Sequence, residues 1–204
     1  MVKALLLAGG ASTRMGRPKA ALPFGDRGTV LSTGVDALLH GGLTDVTIVS
    51  GAHPEAVNAA IESRRDRVRV IENTSWQQGQ LSSLLAGLDA VWSPDLDAIA
   101  VLLVDVPLVR PATVGAVVDA WRSTRAPIVR PVCGSRHGHP VVFDQAVFDD
   151  LRRADVRLGA KAVFAIHQDR VLDVPVDDAW ACEDLDTPED YERFVNALRE
   201  LRHD

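Results

Sequence analysis

Lysine is nearly missing from this 204-residue chain: Lys3, Lys19 and Lys161 stand against nineteen arginines. Cysteine is as scarce. Cys133 and Cys182 lie far apart and form neither a Cys-x-x-Cys pair nor a zinc-type spacing. They read as reduced thiols of a cytosolic protein, with a disulfide between them left open. No block of basic residues interrupts a net charge of -6, which argues against a nucleic-acid grip built on phosphate neutralisation. No apolar run approaches the length a bilayer requires, so no membrane span is expected. The run Met1–Leu7 stops at Gly-Gly with arginine and lysine after it, and reads as a buried first strand rather than a signal peptide. Internal repeats and linkers rich in Pro, Gly or Ser are also missing, and residues 1–204 are expected to form one domain.

What is present suffices for a core. Hydrophobic residues make up 47% and charged residues 25%, which excludes disorder over most of the chain. Strands are expected at Val2–Leu7, Asp45–Ser50, Val68–Ile71, Ala98–Val104, Ile128–Pro131, Val141–Phe143 and Arg170–Val174. Helices are expected at Val30–Leu39, Glu55–Arg64, Leu81–Trp92, Thr113–Arg122, Gln145–Arg153 and Pro188–Arg202. Strands alternating with helices predict an α/β protein with a mainly parallel sheet covered on both faces. Ile99–Val104 is apolar throughout, as a doubly covered strand should be. Ligands of such sheets sit beyond the carboxyl ends of the strands, so residues just after strands carry the functional signal.

The first strand is followed by Leu7-Ala8-Gly9-Gly10-Ala11-Ser12-Thr13-Arg14-Met15-Gly16-Arg17-Pro18-Lys19. It is neither a Walker A loop nor Gly-x-Gly-x-x-Gly. Its chemistry still suits phosphate. Glycines bring backbone N–H groups close to an anion, Ser12 and Thr13 add hydroxyls, Arg14 offers a planar fork and Lys19 a mobile charge. On Gly-Gly alone, a strand-to-helix turn with solvated basic residues would be the simpler reading. Strand four ends in Val104-Asp105-Val106-Pro107. An aspartate there can meet a magnesium ion bound to phosphates, or can cap the helix that starts near Pro111.

Three further segments stand out. Gly79-Gln80-Leu81-Ser82-Ser83-Leu84 opens a helix with serine hydroxyls, either as an anion or base-edge site or as ordinary caps. Trp76 beside it can stack on a ring but reads more simply as packing. In Arg136-His137-Gly138-His139-Pro140, two histidines with no further ligand nearby read as a polar loop entering a strand rather than a metal site. Asp184-Leu185-Asp186-Thr187-Pro188-Glu189-Asp190-Tyr191 is a helix start with a cap and acidic first turn, and Asp184 reads as a turn residue. His40, His53, His167 and His203 have no constellation around them and read as structural or solvated.

From Leu7 to Tyr191 these motifs resemble, in order, the nucleotidyltransferases that activate molybdenum cofactor, sugar phosphates and isoprenoid precursors. The resemblance implies a Rossmann-like three-layer α/β/α fold with a mainly parallel mixed sheet. It also implies that Leu7, Ala8, Gly9, Gly10 and Ser12 wrap an NTP triphosphate, with Arg14 and Lys19 on the phosphates. Asp105 and Asp186 become Mg2+ ligands. Gly79, Ser82 and Ser83 line the nucleotide pocket, and Gly138 and His139 face the acceptor. The Ser-Ser-Leu and Gly-His-Pro segments are similar to the molybdopterin cytidylyltransferase branch, as is Asp186. Leu-Ala-Gly-Gly instead resembles the guanylyl-transferring relatives, in which Gly9 is not replaced by alanine.

The implied activity is transfer of CMP from CTP to a phosphorylated acceptor, with molybdopterin expected, pyrophosphate released and a molybdoenzyme as a possible recipient. GTP as donor, or another small phosphorylated acceptor, is the alternative. Two other classes stay open: a non-catalytic cofactor carrier, and an NAD(P)-dependent oxidoreductase. The oxidoreductase lacks both its glycine fingerprint and an acidic residue after strand two, which closes on Val49-Ser50-Gly51. The expected setting is cytoplasmic, with no nucleic-acid or membrane partner.

Overall fold

The computed structural model describes residues 1–26 and 28–200. In chain order its main elements are β1 (Val2–Ala8), α1 (Val30–His40), β2 (Val46–Ser50), α2 (Pro54–Ala60), β3 (Arg69–Glu72), α3 (Gln80–Val91), β4 (Ala98–Leu103) and α4 (Pro111–Thr124). There follow β5 (Ile128–Cys133), β6 (Arg136–His137), β7 (Val141–Asp144), α5 (Phe148–Arg153), α6 (Lys161–Ile166), β8 (Val171–Pro175) and α7 (Pro188–Glu200). The strands make one mixed sheet in the order β3-β2-β1-β4-β7-β5, with β5 also bonded to β6 and to β8. Only β6 and β7 run against the rest, β7 antiparallel to both β4 and β5.

Alternation along β1 explains the layers. Ala4, Leu6 and Ala8 face one core with Leu31 and Val35 of α1 and Val114, Val117 and Trp121 of α4. Leu5 and Leu7 face the other with Leu84 and Leu88 of α3 and Phe148 of α5. Burying both faces removes enough apolar surface to make the sheet the stable centre, at roughly 25 cal/mol per Å2. A third, smaller cluster joins Met15, Leu22, Phe24, Val30 and Leu108 to Leu185 and Phe194, so α7 lies against the loop that follows β1.

After β1 the chain builds β2 and β3 on one side, then crosses to place β4 on the other. That reversal opens a crevice at the carboxyl ends of β1 and β4, where open α/β sheets bind ligands.

Some expected elements differ in extent. The helix expected over Glu55–Arg64 ends at Ala60, where Ile61 leaves the helical region and turns wholly into the core; a 3-10 turn covers Glu62–Arg64. Gln145–Arg153 divides into a 3-10 turn and α5. The strand expected to reach Val104 stops at Leu103. Leu201 and Arg202 of the last expected helix, and His203, lie outside the described residues. The helix α6 and the two-residue strand β6 were not expected at all.

Candidate active site

The loop after β1 is held open by its own backbone. Ser12 adopts φ +52°, a left-handed conformation uncommon for a residue with a side chain. Its C=O accepts the N–H groups of Met15 and Gly16, each at 3.1 Å. Its hydroxyl accepts the Lys19 N–H at 3.1 Å, so Ser12 braces the loop as well as lining it. The loop sits tightly on its neighbours: a Cβ on Gly51 would lie 2.6 Å from the Gly9 carbonyl oxygen, so only glycine at 51 permits this approach. Beyond the loop lies a cleft of about 400 Å3. Leu7, Ala8, Gly9, Gly10, Ser12, Arg14 and Lys19, all expected at the nucleotide, line it.

The acidic wall comes from two places far apart in sequence. Asp105 follows β4, and Asp186 precedes α7. The Leu185 N–H donates to the Asp105 carbonyl at 2.7 Å, which clamps the C-terminal segment onto the end of β4. Leu185 is fully buried beneath this contact. Asp186 is gripped by both cations of the loop: Lys19 Nζ lies 2.5 Å from one carboxylate oxygen and Arg14 2.7 Å from the other. Thus the three residues expected on phosphates and metal meet at one point.

Asp105 is in a different situation. Its Oδ1 is buried and has no hydrogen-bond partner among the described residues. Burial pushes its carboxyl up to about 6, helped by the negative charges of Asp184 and Asp186 and opposed by Lys19. It does not cap α4. That task falls to Asp178, which sequence reasoning missed: its buried carboxylate accepts the Arg110 N–H at 2.8 Å and the Thr113 hydroxyl at 2.6 Å. A buried oxygen with no donor, at the mouth of a cleft lined by Lys19 and glycines, fits a hard divalent cation, which takes carboxylate and phosphate oxygens. Among the described residues no group of three His, Cys, Asp or Glu side chains could hold a metal, so a cation beside Asp105 would have to complete its shell with other oxygens, such as those of phosphate or water.

The start of α3 supplies one of its two expected serines. Ser83 and Gly79 line the cleft, whereas Ser82 does not. Ser82 is turned inward, donating to the Gly79 carbonyl at 2.8 Å and accepting from Asn73 Nδ2 at 2.8 Å. Asn73 also donates to Ser83, at 3.0 Å, so this buried amide fixes both hydroxyls. Trp76, read from sequence as packing, lines the cleft half-buried. His53 lines it too, its ring nitrogen 3.1 Å from the Ala11 carbonyl oxygen. Trp76 thus takes the position of its alternative reading as a stacking surface, whereas His53 carried no sequence signal, because its loop approaches only once the sheet has formed.

Gly138 and His139 do not line the cleft. Gly138 is pressed against the turn that precedes α7: an added Cβ would sit 2.2 Å from the Ala181 carbonyl oxygen and 2.6 Å from Cys182 Sγ. The His139 N–H donates to Ala181 O at 2.8 Å, and the ring Nδ1 lies 3.3 Å from the Val101 carbonyl oxygen. Burial lowers the pKa of this imidazole, the Val101 carbonyl and Asp184 only partly offsetting it, so the ring is neutral at pH 7. Of the remaining histidines, His167 pairs with Asp150 at 2.8 Å and His40 with the Asp36 carbonyl at 2.8 Å, both outside the cleft. Both cysteines are free thiols. No described helix is long and apolar enough to cross a membrane.

Comparison with known proteins places this architecture. Rv0371c from Mycobacterium tuberculosis H37Rv matches with a TM-score of 0.78 at 31% identity, over 96% of this chain and 97% of that one. Its complex with manganese matches with a TM-score of 0.76 at 30% identity, over 96% and 98%. Nicotine blue oxidoreductase of Paenarthrobacter nicotinovorans is 32% identical over 203 residues, 95% of this chain and 96% of the relative. A probable molybdenum cofactor guanylyltransferase of Opitutus terrae is 29% identical over 196 residues, 92% of each chain. The model of the MobA-like NTP transferase domain matches residues 4–171. With its glycine-rich loop after β1, Asp105 after β4 and the NTP transferase model matched over residues 4–171, the chain belongs to the MobA-like NTP transferase family.

Proposed function

We propose that this nucleotidyltransferase moves CMP from CTP to a phosphate of a small acceptor, molybdopterin being the first candidate, in one domain spanning residues 1–204. The observation that carries the reading is the meeting of Arg14, Lys19, Asp105 and Asp186 around one cleft. An acceptor phosphate oxygen forms a bond to the α-phosphorus, the bond to the β-phosphate oxygen breaks, and pyrophosphate leaves with the electron pair. The nucleophile is already anionic near neutral pH, so no strong base is needed and catalysis is positioning and charge neutralisation. Gly9, Gly10 and Ser12 hold phosphates. Arg14 and Lys19 balance the charge that grows on the leaving pyrophosphate. Asp105 and Asp186 would hold a divalent cation, Mg2+ or Mn2+, which lends Lewis acidity to the phosphate oxygens when bound. Gly79 and Ser83 border the base, with Trp76 as a stacking surface.

The acceptor-side role expected of Gly138 and His139 gains no support from the cleft, since both pack on Ala181 outside it. For the base, the Leu-Ala-Gly-Gly loop favours GTP and Asp186 favours CTP. A methyl group on Gly9 would meet the Ser83 hydroxyl at 2.7 Å, so the room left by Gly9 bears on base size.

The test is pyrophosphate release with Mg2+ or Mn2+ from CTP, GTP, ATP and UTP, with and without molybdopterin. Acceptor-dependent release from CTP is expected; the same from GTP reassigns the base. Binding without release supports a carrier that passes its cargo to a molybdoenzyme. A second reading, an oxidoreductase, is favoured by the name of the relative at 32% identity. Against it, β2 ends in Ser50, whose hydroxyl donates to the Ile71 carbonyl at 3.0 Å, leaving no carboxylate there for a ribose. A saturable signal on titration with NADH or NADPH would favour that reading.

A further inference from the structure

Asp186 presents a conflict. It is the second carboxylate on the acidic wall, yet both its oxygens are already bonded to the loop cations, Lys19 Nζ at 2.5 Å and Arg14 at 2.7 Å. Asp105, by contrast, has a buried oxygen with no partner. In this arrangement a cation arriving alone finds one orphaned carboxylate and one that is neutralised. The Lys19 and Asp186 side chains are only 11% and 23% exposed, so the pair is screened far less than a surface ion pair.

We propose that Asp186 is an exchangeable counter-ion of the phosphate loop: it holds Arg14 and Lys19 in place while no triphosphate is bound, and turns to the divalent cation beside Asp105 when the phosphates claim those two residues. This rests on the nucleotidyl-transfer reading above. The geometry makes the exchange cheap in motion. The backbone around Asp186 is fixed, because the Asp190 carboxylate accepts the N–H groups of Asp186 at 3.2 Å and Thr187 at 3.0 Å. Leu185 is bonded to Asp105 on the other side. Only the Asp186 side chain has to turn. The Arg14 side chain is 69% exposed and free to swing, and Lys19 needs only to change partner along the same wall. A triphosphate outcompetes one carboxylate for both, since it brings several charged oxygens in place of two. The consequence is coupling: the cation and the phosphates each complete the other's ligand set, beyond the chelation that a nucleotide itself provides.

The test measures Mn2+ binding to the full-length protein without nucleotide, from the electron paramagnetic resonance signal of free Mn2+. Four proteins form a cycle: native, Asp186→Asn, Arg14→Met/Lys19→Met, and the triple variant. A locked Asp186 predicts that Asp186→Asn changes the Mn2+ affinity less than about twofold in the native background. It predicts a loss of about tenfold or more once Arg14 and Lys19 are gone and the carboxylate is free. Simple charge effects at a distance are additive, so equal losses in the two backgrounds overturn the exchange. Lys19→Gln alone serves as background if the double variant does not fold, and Arg17→Met, which removes a neighbouring cation that does not touch Asp186, should leave the cycle unchanged. If the native protein binds no Mn2+ even with CTP present, the metal-dependent transfer reading itself fails, and the exchange with it.

Discussion

At the scale of single residues, Asp105 sets stability against activity. Its carboxyl is raised to about 6 in the folded chain, chiefly by burial, against an ordinary value near 3.9. A raised carboxyl binds its proton more tightly when folded. The contribution to stability is therefore complete below pH ~4 and lost as pH rises through about 6, a loss on the order of 3 kcal/mol by pH 8. Asp105→Asn should melt higher than the native protein at pH 8 without metal or nucleotide, with the difference vanishing by pH 4. Its nucleotidyl transfer should fall at least ~100-fold. Thermal melts across that pH range, beside pyrophosphate release, check both halves; equal melting temperatures at pH 8 would remove the burial argument. Asp178→Ala works in the opposite direction. It strips two donors at the start of α4 of their acceptor and should cost about 2 kcal/mol in urea unfolding.

At the scale of elements, Gly138 is the point where the link from β6 to β7 passes beneath the turn at Ala179–Cys182. Gly138→Ala drives a methyl group into the Ala181 backbone, which cannot yield as a side chain would, and should destabilise by about 1–3 kcal/mol. The segment that carries Asp184 and Asp186 would move with it, so transfer should fall more than nucleotide binding; steady-state kinetics would separate the two. Much of this level is legible in the sequence. The apolar runs of β1, β2 and β4 and the glycine-rich loop are strong local signals, and they fall where expected because burial on both faces leaves few alternatives. What escaped was short or made by contact. The strand β6 is two residues, formed only because the chain reverses at Gly134 with φ +63°. Six-residue α6 follows Gly159 and buries only Val163, too little for an amphipathic pattern. Ser82 was read as facing a ligand, since no local rule reveals that Asn73 would reach it from the other side of a loop. His53 reaches the cleft by tertiary approach alone.

At the scale of the whole molecule, the site is a joint between two ends of the chain. Phe194 on α7 is fully buried against the cluster containing Met15, Leu22 and Leu108, so the C-terminal helix supports the glycine-rich loop after β1 from behind. Phe194→Ala should cost about 3–5 kcal/mol and make the loop more open to proteolysis, with bound nucleotide restoring part of the protection. Protease cutting confined to regions far from residues 9–19 would contradict that support. The family match ends at residue 171, yet Asp186 and the bond from Leu185 to Asp105 come from beyond it. The order of synthesis then matters. A growing chain acquires its glycine loop within the first twenty residues and Asp105 midway, but its grip on Arg14 and Lys19 waits for residue 186. Throughout most of translation the two loop cations therefore lack the Asp186 carboxylate that neutralises them in the finished fold.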